Sequence, residues 1–234
     1  MKRQANIQWD VRYHALCQSS VHPSLKAFYK AGLCNGQTTV ANAQFVALDF
    51  ETTGLNSDTD DIVSIGLVPF DWQRIYCHQS RHWVVQPKSK LNQESVVIHG
   101  ITHSDVEAAP DLMSVLTPLL EAIQGRVVVV HYHPIERTFL ANALLKRIGE
   151  GIEFATIDTM EIERLALNSR RGVIGKLLRE KIPSLRLADC RERYNLPLYS
   201  AHNAFTDALA TAELLQAQLR YHYRSDTPIG DIWI

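Results

Sequence analysis

The sequence predicts an α/β fold: a mixed five-stranded sheet with helices on both faces, preceded by a short helical N-terminal extension. Three observations lead there. Three β-rich runs at 45–51, 61–69 and 81–86 follow one another through short loops, as in a meander. Two further strand patterns, 127–131 and 155–158, alternate with long helical patterns, which brings parallel strands and covering helices. Finally, 234 residues with 46% hydrophobic content allow one sizeable core plus an appendage.

Each element has its own signal. In the first 43 residues, Pro23 to Ala31 reads as a short helix stopped by Gly32, and Asn35-Gly36-Gln37-Thr38-Thr39 as a linker. Trp9, Tyr13, Leu25, Phe28 and Tyr29 give this segment apolar surface, which either docks on the main domain or serves as a partner-binding or substrate-guiding arm. The main domain is expected over 44–223. Its first strand, Phe45 to Glu51, puts Val46, Leu48 and Phe50 on one face and Ala47, Asp49 and Glu51 on the other. Asp61 to Pro69 and Arg81 to Gln86 complete an antiparallel meander, and 111–123 is an amphipathic helix. The unbroken run Val127-Val128-Val129-Val130-His131 is a buried strand, followed by a helix from Ile135 to Ile148 with Pro134 suited to its first turn. Ala155 to Asp158 is a short fifth strand, and helices fill the remainder to about Tyr223. The last of them starts near Asn203, with His202 in the loop before it. The tail, 224–234, ends apolar and either packs back or docks to another chain.

Five side chains carry chemical interest. Asp49 and Glu51 sit side by side on one strand face, where two carboxylates repel unless a cation lies between them. Alone, the pair fits either a metal site or a solvated strand end. Gly54, in Thr52-Thr53-Gly54-Leu55, suits a tight turn where amides and hydroxyls approach a ligand. Asp207 shares a helical face with Ala204, Ala210 and Thr211, small residues that let a helix lie close to a sheet. His202 could face the same space, and histidine as a residue type titrates where a general base is useful; a surface His and a solvated helical Asp are the other reading of this pair. Glu136 lies in a first helical turn at the carboxyl end of a central strand, where open α/β sheets bind ligands; a helix-dipole acid would stand there too.

Composition limits the remaining classes. Cys17, Cys34, Cys77 and Cys190 have no metal-ligand spacing, which points to free thiols in a reducing compartment. No apolar run approaches membrane-helix length and the amino terminus has no signal-peptide core, so a soluble cytoplasmic protein is expected. The net charge is −1, so global attraction to nucleic acid is weak. Arg164 to Arg193 is locally basic, with Arg170, Arg171, Lys176, Arg179 and Lys181. It either steers phosphates or is a solvated helical surface.

From about Phe45 to Leu219 the chain resembles the DEDDh 3′-to-5′ exonucleases, which include the proofreading subunit of bacterial DNA polymerase III. The resemblance rests on Leu48-Asp49-Phe50-Glu51-Thr52-Thr53-Gly54-Leu55, on Ile98-His99-Gly100-Ile101-Thr102, on Val130-His131 through Leu140, and on His202 through Leu214. Four motifs in this order are specific, and they imply a ribonuclease H-like fold. They further imply that Asp49, Glu51 and Asp207 ligate two Mg²⁺ or Mn²⁺ ions, that His202 is the general base, and that Thr52, Thr53, Gly54, Leu55 and His99 line the pocket for the terminal nucleotide.

The second motif departs from the family pattern His-Asn-Ala-x-Phe-Asp. This chain reads His131-Tyr132-His133-Pro134-Ile135-Glu136, with Tyr132 in place of Asn and Glu136 in place of Asp. Glu136 is taken as a working acid of the metal site. His131 and His133 are either substitute ligands or packing residues. The implied reaction is two-metal hydrolysis of phosphodiester bonds from the 3′ end of single-stranded DNA or short oligonucleotides, releasing nucleoside monophosphates. RNA 3′ ends are a second possible substrate, a polymerase is a possible partner, and a catalytically weakened nucleic-acid or nucleotide-binding module on the same fold is the alternative from another class.

Overall fold

The computed structural model describes residues 7–177 and 183–234. In chain order these form α1 (Trp9–Ser19), α2 (Pro23–Ala31), β1 (Gln44–Thr52), β2 (Ile62–Asp71) and β3 (Arg81–Val84). Three helices follow, α3 (Gln93–His99), α4 (His103–Glu107) and α5 (Leu112–Ile123). Then come β4 (Val127–Val130), α6 (Pro134–Ile148), β5 (Thr156–Asp158), α7 (Thr159–Leu177), α8 (Leu187–Arg193) and α9 (Ala204–His222).

The five strands form one sheet in the order β3-β2-β1-β4-β5. β1 pairs antiparallel with β2 and parallel with β4, β2 pairs antiparallel with β3, and β4 pairs parallel with β5, so the sheet is mixed as expected. Every residue of β4 and β5, and all of β2 except Asp71, is buried; both parities of each strand are therefore covered, which requires helices on both faces. β3 is shorter than the 81–86 run predicted. Val85 still donates to the Val63 carbonyl, but Gln86 turns away to bond Pro110 and bridge Asp111 at the start of α5.

Helix ends follow local chemistry. Asp111 caps α5, accepting the Met113 amide at 2.9 Å, and Asn203 caps α9, accepting the Thr206 amide at 3.1 Å. α1 was absent from the sequence-based expectation. Only Trp9 and Tyr13 of its eleven residues are buried, so no apolar stripe announces it.

The N-terminal segment docks on the domain. Trp9, Tyr13, Leu25, Phe28 and Tyr29 are buried in the main core, with the Tyr13 ring 5.5 Å from Phe28 and 5.4 Å from Tyr29. Arg137 of α6 ties both ends of the chain together: its guanidinium lies over the Trp9 ring at 5.1 Å and donates to the carbonyls of Phe154 and Ile234. The tail packs back as well. The Ile234 amide donates to the Thr156 carbonyl at 2.8 Å, extending the hydrogen bonding at the β5 edge. Trp233 meanwhile rests against Gly36, where a Cβ would meet its ring at 3.2 Å.

Candidate metal centre

Asp49 and Glu51 stand near the carboxyl end of β1 on the face covered by α9. Asp49 is the register partner of Gly66 on β2. At Gly66 a Cβ would come 2.0 Å from the Ala204 carbonyl oxygen and 2.5 Å from the Phe205 nitrogen, so the first turn of α9 lies on the bare backbone of that glycine. Ala204, Ala208, Ala210, Thr211 and Ala212 are all buried, which continues the close approach along the helix. The result is that one carboxylate oxygen from each of Asp49, Glu51 and Asp207 lies within 4.8 Å of the others.

The electrostatics match that crowding. Burial pushes the Asp49 carboxyl well above the usual carboxylate range, and Glu136, Asp207 and Glu51 push it in the same direction. Burial and then Asp207 raise Glu51 to about 7. Asp207 is also raised, chiefly by burial, although backbone amides oppose the shift. Three acids that repel one another in a half-dry site are what hard divalent cations relieve, and an all-oxygen donor set suits Mg²⁺ or Mn²⁺.

Glu136 stands apart from this trio. It is buried in the first turn of α6, 2% exposed, and its Oε2 has no hydrogen-bond partner. Burial raises its carboxyl well above the ordinary range, with Asp158 adding repulsion. It is near enough to Asp49 to raise that acid in turn. An orphaned buried carboxylate oxygen beside Asp49 fits an acid awaiting a cation.

His202 lies on the exposed approach to α9 with φ 66°, and its backbone amide donates to Asp207 Oδ2 at 2.8 Å. The two residues are thus joined through the backbone, with His202 itself exposed. His99, at the end of α3, accepts the Ile101 amide on Nδ1 and has no partner on its buried Nε2. Burial and then His202 lower its pKa.

The turn after β1 divides its work. Leu55 is 88% exposed, and the Thr52 hydroxyl donates to the Gly54 carbonyl at 2.6 Å. Thr53 is fully buried, its hydroxyl 2.8 Å from that of Ser89 and accepting the Asp61 amide, so it shapes the turn from inside. At Gly54 a Cβ would meet the Asp60 carboxylate at 2.4 Å, so a larger residue would have to displace that side chain, which accepts the Asn56 amide.

His131 is hydrogen-bonded through both ring nitrogens and His133 through one. His131 bonds the Thr159 hydroxyl and the Leu185 carbonyl, each at 2.8 Å, and His133 Nδ1 lies 2.8 Å from Asp158. Asp158, at the end of β5, also accepts the amides of Tyr132, His133 and Met160. It thereby holds Tyr132 at φ 90°, a conformation costly for an aromatic residue. Burial pushes the Asp158 carboxyl up, but the hydrogen bonds from His133 and the backbone outweigh it and hold the group below its ordinary value. Neither Gly66 nor Asp158 was found from the sequence. A glycine interrupting the apolar run Ile62-Val63-Ser64-Ile65-Gly66-Leu67-Val68, and an acid ending a buried strand, were the available signals.

Within the basic stretch Arg164 pairs with Glu161, Arg191 with Glu213 and Arg193 with Glu163. The expectations for Arg179 and Lys181 lie outside the described residues, and Lys176 is described only as part of the α7 backbone. All four cysteines are free thiols, and among the described residues no helix is long and apolar enough to cross a membrane.

Comparison with known proteins gives the family and the fold. The model of the exonuclease family RNase_T matches residues 46–215. The PolC-type DNA polymerase III of Thermotoga maritima is 29% identical over 177 residues, which is 76% of this chain but only 12% of that relative. The DNA polymerase III subunit epsilon of Treponema pallidum is 25% identical over 78% of this chain and 79% of its own length. Among solved structures, the nuclease domain of 3′hExo, a DEDDh family member bound to rAMP, superposes with a TM-score of 0.61 at 15% identity, covering 76% of this chain and 92% of that one. At that identity the match concerns the fold.

Proposed function

This chain belongs to the exonuclease family, and from that premise we propose that it is a metal-dependent 3′-to-5′ exonuclease acting on single-stranded DNA or short oligonucleotides. The observation that carries the reading is the convergence of Asp49, Glu51 and Asp207, from β1 and α9, to within 4.8 Å. A fold does not by itself demand three mutually repelling acids in one place.

Asp49, Glu51 and Asp207, with Glu136 beside Asp49, would hold two Mg²⁺ or Mn²⁺ ions. Bound there, such ions supply Lewis-acid charge neutralisation at the scissile phosphate and acidify water. His202, open to solvent on its loop, accepts the proton of the attacking water. The backbone bond from His202 to Asp207 keeps this base in step with the acids. Leu55, exposed on the turn after β1, offers an apolar face to a terminal base. Association with a DNA polymerase, suggested by the relatives' names, completes the reading; co-purification with a polymerase subunit tests it.

The decisive experiment incubates 3′-labelled DNA and RNA oligonucleotides with Mg²⁺ or Mn²⁺ and compares wild type with Asp49→Ala, Glu136→Ala and His202→Ala. Release of mononucleotides by wild type, lost in Asp49→Ala, is expected. No release from either nucleic acid under either metal would overturn the reading.

A second reading is a nucleotide-binding module with weakened chemistry, and the position of Glu136 outside the oxygen trio favours it. It requires tight oligonucleotide binding with no turnover, and binding unaffected by His202→Ala.

A further inference from the structure

The loop bearing His202 has very little holding it. Every residue from Pro197 to Asn203 is exposed, and Leu198 is 75% exposed. Among the described residues, after Leu196, whose amide bonds the Arg191 carbonyl, the next backbone amide with a partner is that of His202 on Asp207. An exposed segment of this kind samples many conformations, and a base displaced by even an ångström loses much of its effect.

Between those two points the described contacts of the loop converge on one buried side chain. Arg191 of α8 is 2% exposed, and its guanidinium donates to the Pro197 carbonyl at 2.8 Å, to the Ala210 carbonyl at 2.6 Å and to Glu213 Oε2 at 2.7 Å. Its face covers the Tyr199 ring at 4.6 Å from the centroid. The Tyr199 hydroxyl then donates to the other oxygen of Glu213 at 2.9 Å. Ala210 and Glu213 lie one turn and nearly two turns along α9 from Asp207, so the cluster fastens the loop to the helix that carries a metal-site acid.

The chemistry explains why arginine stands here. Only its planar fork can satisfy a helix carbonyl, a loop carbonyl and a carboxylate at once while presenting a flat face to an aromatic ring. Burying a charged group simply to join α8 to α9 would be poorly rewarded, since apolar side chains of similar volume serve that purpose as well or better.

We propose that Arg191 is a positioning residue which, with Glu213 and Tyr199, sets the exposed loop 197–203 and through it aims His202 at the metal centre. This rests on the exonuclease reading given above. Arg191 touches no substrate; it acts through His202.

Tyr199 gives the cleaner test, because it is exposed and its removal spares the core, whereas Arg191→Ala would strand Glu213 and two carbonyls. Turnover of a 3′-labelled oligonucleotide is measured for wild type, Tyr199→Ala, Tyr199→Phe, His202→Ala and the double variant Tyr199→Ala/His202→Ala. Tyr199→Ala is expected to lower kcat about 10- to 100-fold with little change in KM, and Tyr199→Phe, which keeps the ring on the guanidinium, to recover part of the loss. In the His202→Ala background the Tyr199 substitution is expected to cost nothing further. Equal losses in both backgrounds would mean a general structural role and overturn the proposal, as would a Tyr199→Ala enzyme with wild-type kcat. An inactive wild type overturns the exonuclease reading itself, a result distinguishable from either.

Discussion

Gly66 and Ala204 meet backbone to backbone: a methyl group on the glycine would stand 2.0 Å from the alanine carbonyl oxygen. Because Gly66 is also the register partner of Asp49, this contact sets how near α9 comes to the strand carrying two of the acids. Gly66→Ala must push the start of α9 outward, carrying Asp207 and the His202 loop with it. Overpacking of this kind costs about 1–3 kcal/mol of stability. The larger effect is expected on the site, with Mn²⁺ affinity by calorimetry and nuclease turnover both reduced, turnover by about 100-fold. Wild-type Mn²⁺ affinity in a folded Gly66→Ala protein would show that this contact does not set the acid spacing.

The acid trio gives the metal-free protein a pH dependence opposite to that of a salt-bridged carboxylate. Glu51 is raised to about 7, and Asp49 and Asp207 are raised with it, all first by burial. The folded state therefore binds more protons than the unfolded chain. The contribution of these groups is fully present below their ordinary carboxylate values and is lost as pH rises through about 7. Thermal melting in EDTA should show this as a fall of several degrees between pH 5 and pH 8, shallower in Glu51→Gln. Mg²⁺ or Mn²⁺ should raise the melting temperature more at pH 8 than at pH 5, because the ions bind the charged acids. A metal effect independent of pH would contradict the trio as the binding site.

Asp158 works in the other direction. Held below its ordinary value despite burial, it stabilises the fold above the unfolded carboxylate range, and that stabilisation is lost as pH falls. Asp158→Asn replaces an acceptor of four backbone amides and the His133 side chain with a group that must turn an N–H toward donors. A loss of about 2–3 kcal/mol in urea unfolding is expected, together with reduced turnover as the strained Tyr132 turn relaxes and Glu136 moves. Full activity with lowered stability would separate Asp158 from the placement of Glu136.

The N-terminal helices behave in this structure as part of the core. Trp9 is 1% exposed and lies under the Arg137 guanidinium. Trp9→Ala should destabilise the whole domain by about 3–5 kcal/mol in one cooperative transition, leaving Mn²⁺ affinity of the folded protein unchanged. A separate early transition for the first 43 residues would instead mark them as an independent unit.

Much of this architecture was legible in the sequence because it rests on local periodicity. Alternation along 45–51 set Asp49 and Glu51 on one face, the four valines gave β4, and the small residues around Asp207 announced a helix that lies close to a sheet. α1 escaped because two buried aromatics in eleven residues make no stripe. The roles of His131 and His133 were left open because the groups that occupy them, Thr159, Leu185 and Asp158, lie 25 or more residues away.

By itself, then, the sequence determined the α/β class, the strands and the long helices, since each follows from the spacing of neighbouring residues, and it singled out the candidate acids only together with the resemblance to the exonucleases. Only the tertiary structure decided how those acids are arranged. The 4.8 Å grouping of Asp49, Glu51 and Asp207 depends on one glycine beneath α9, the seat of Glu136 on a turn pinned by Asp158, and the setting of the His202 loop on a guanidinium buried between two helices. Contacts of that kind join residues far apart in the chain, and no periodicity along the sequence records them.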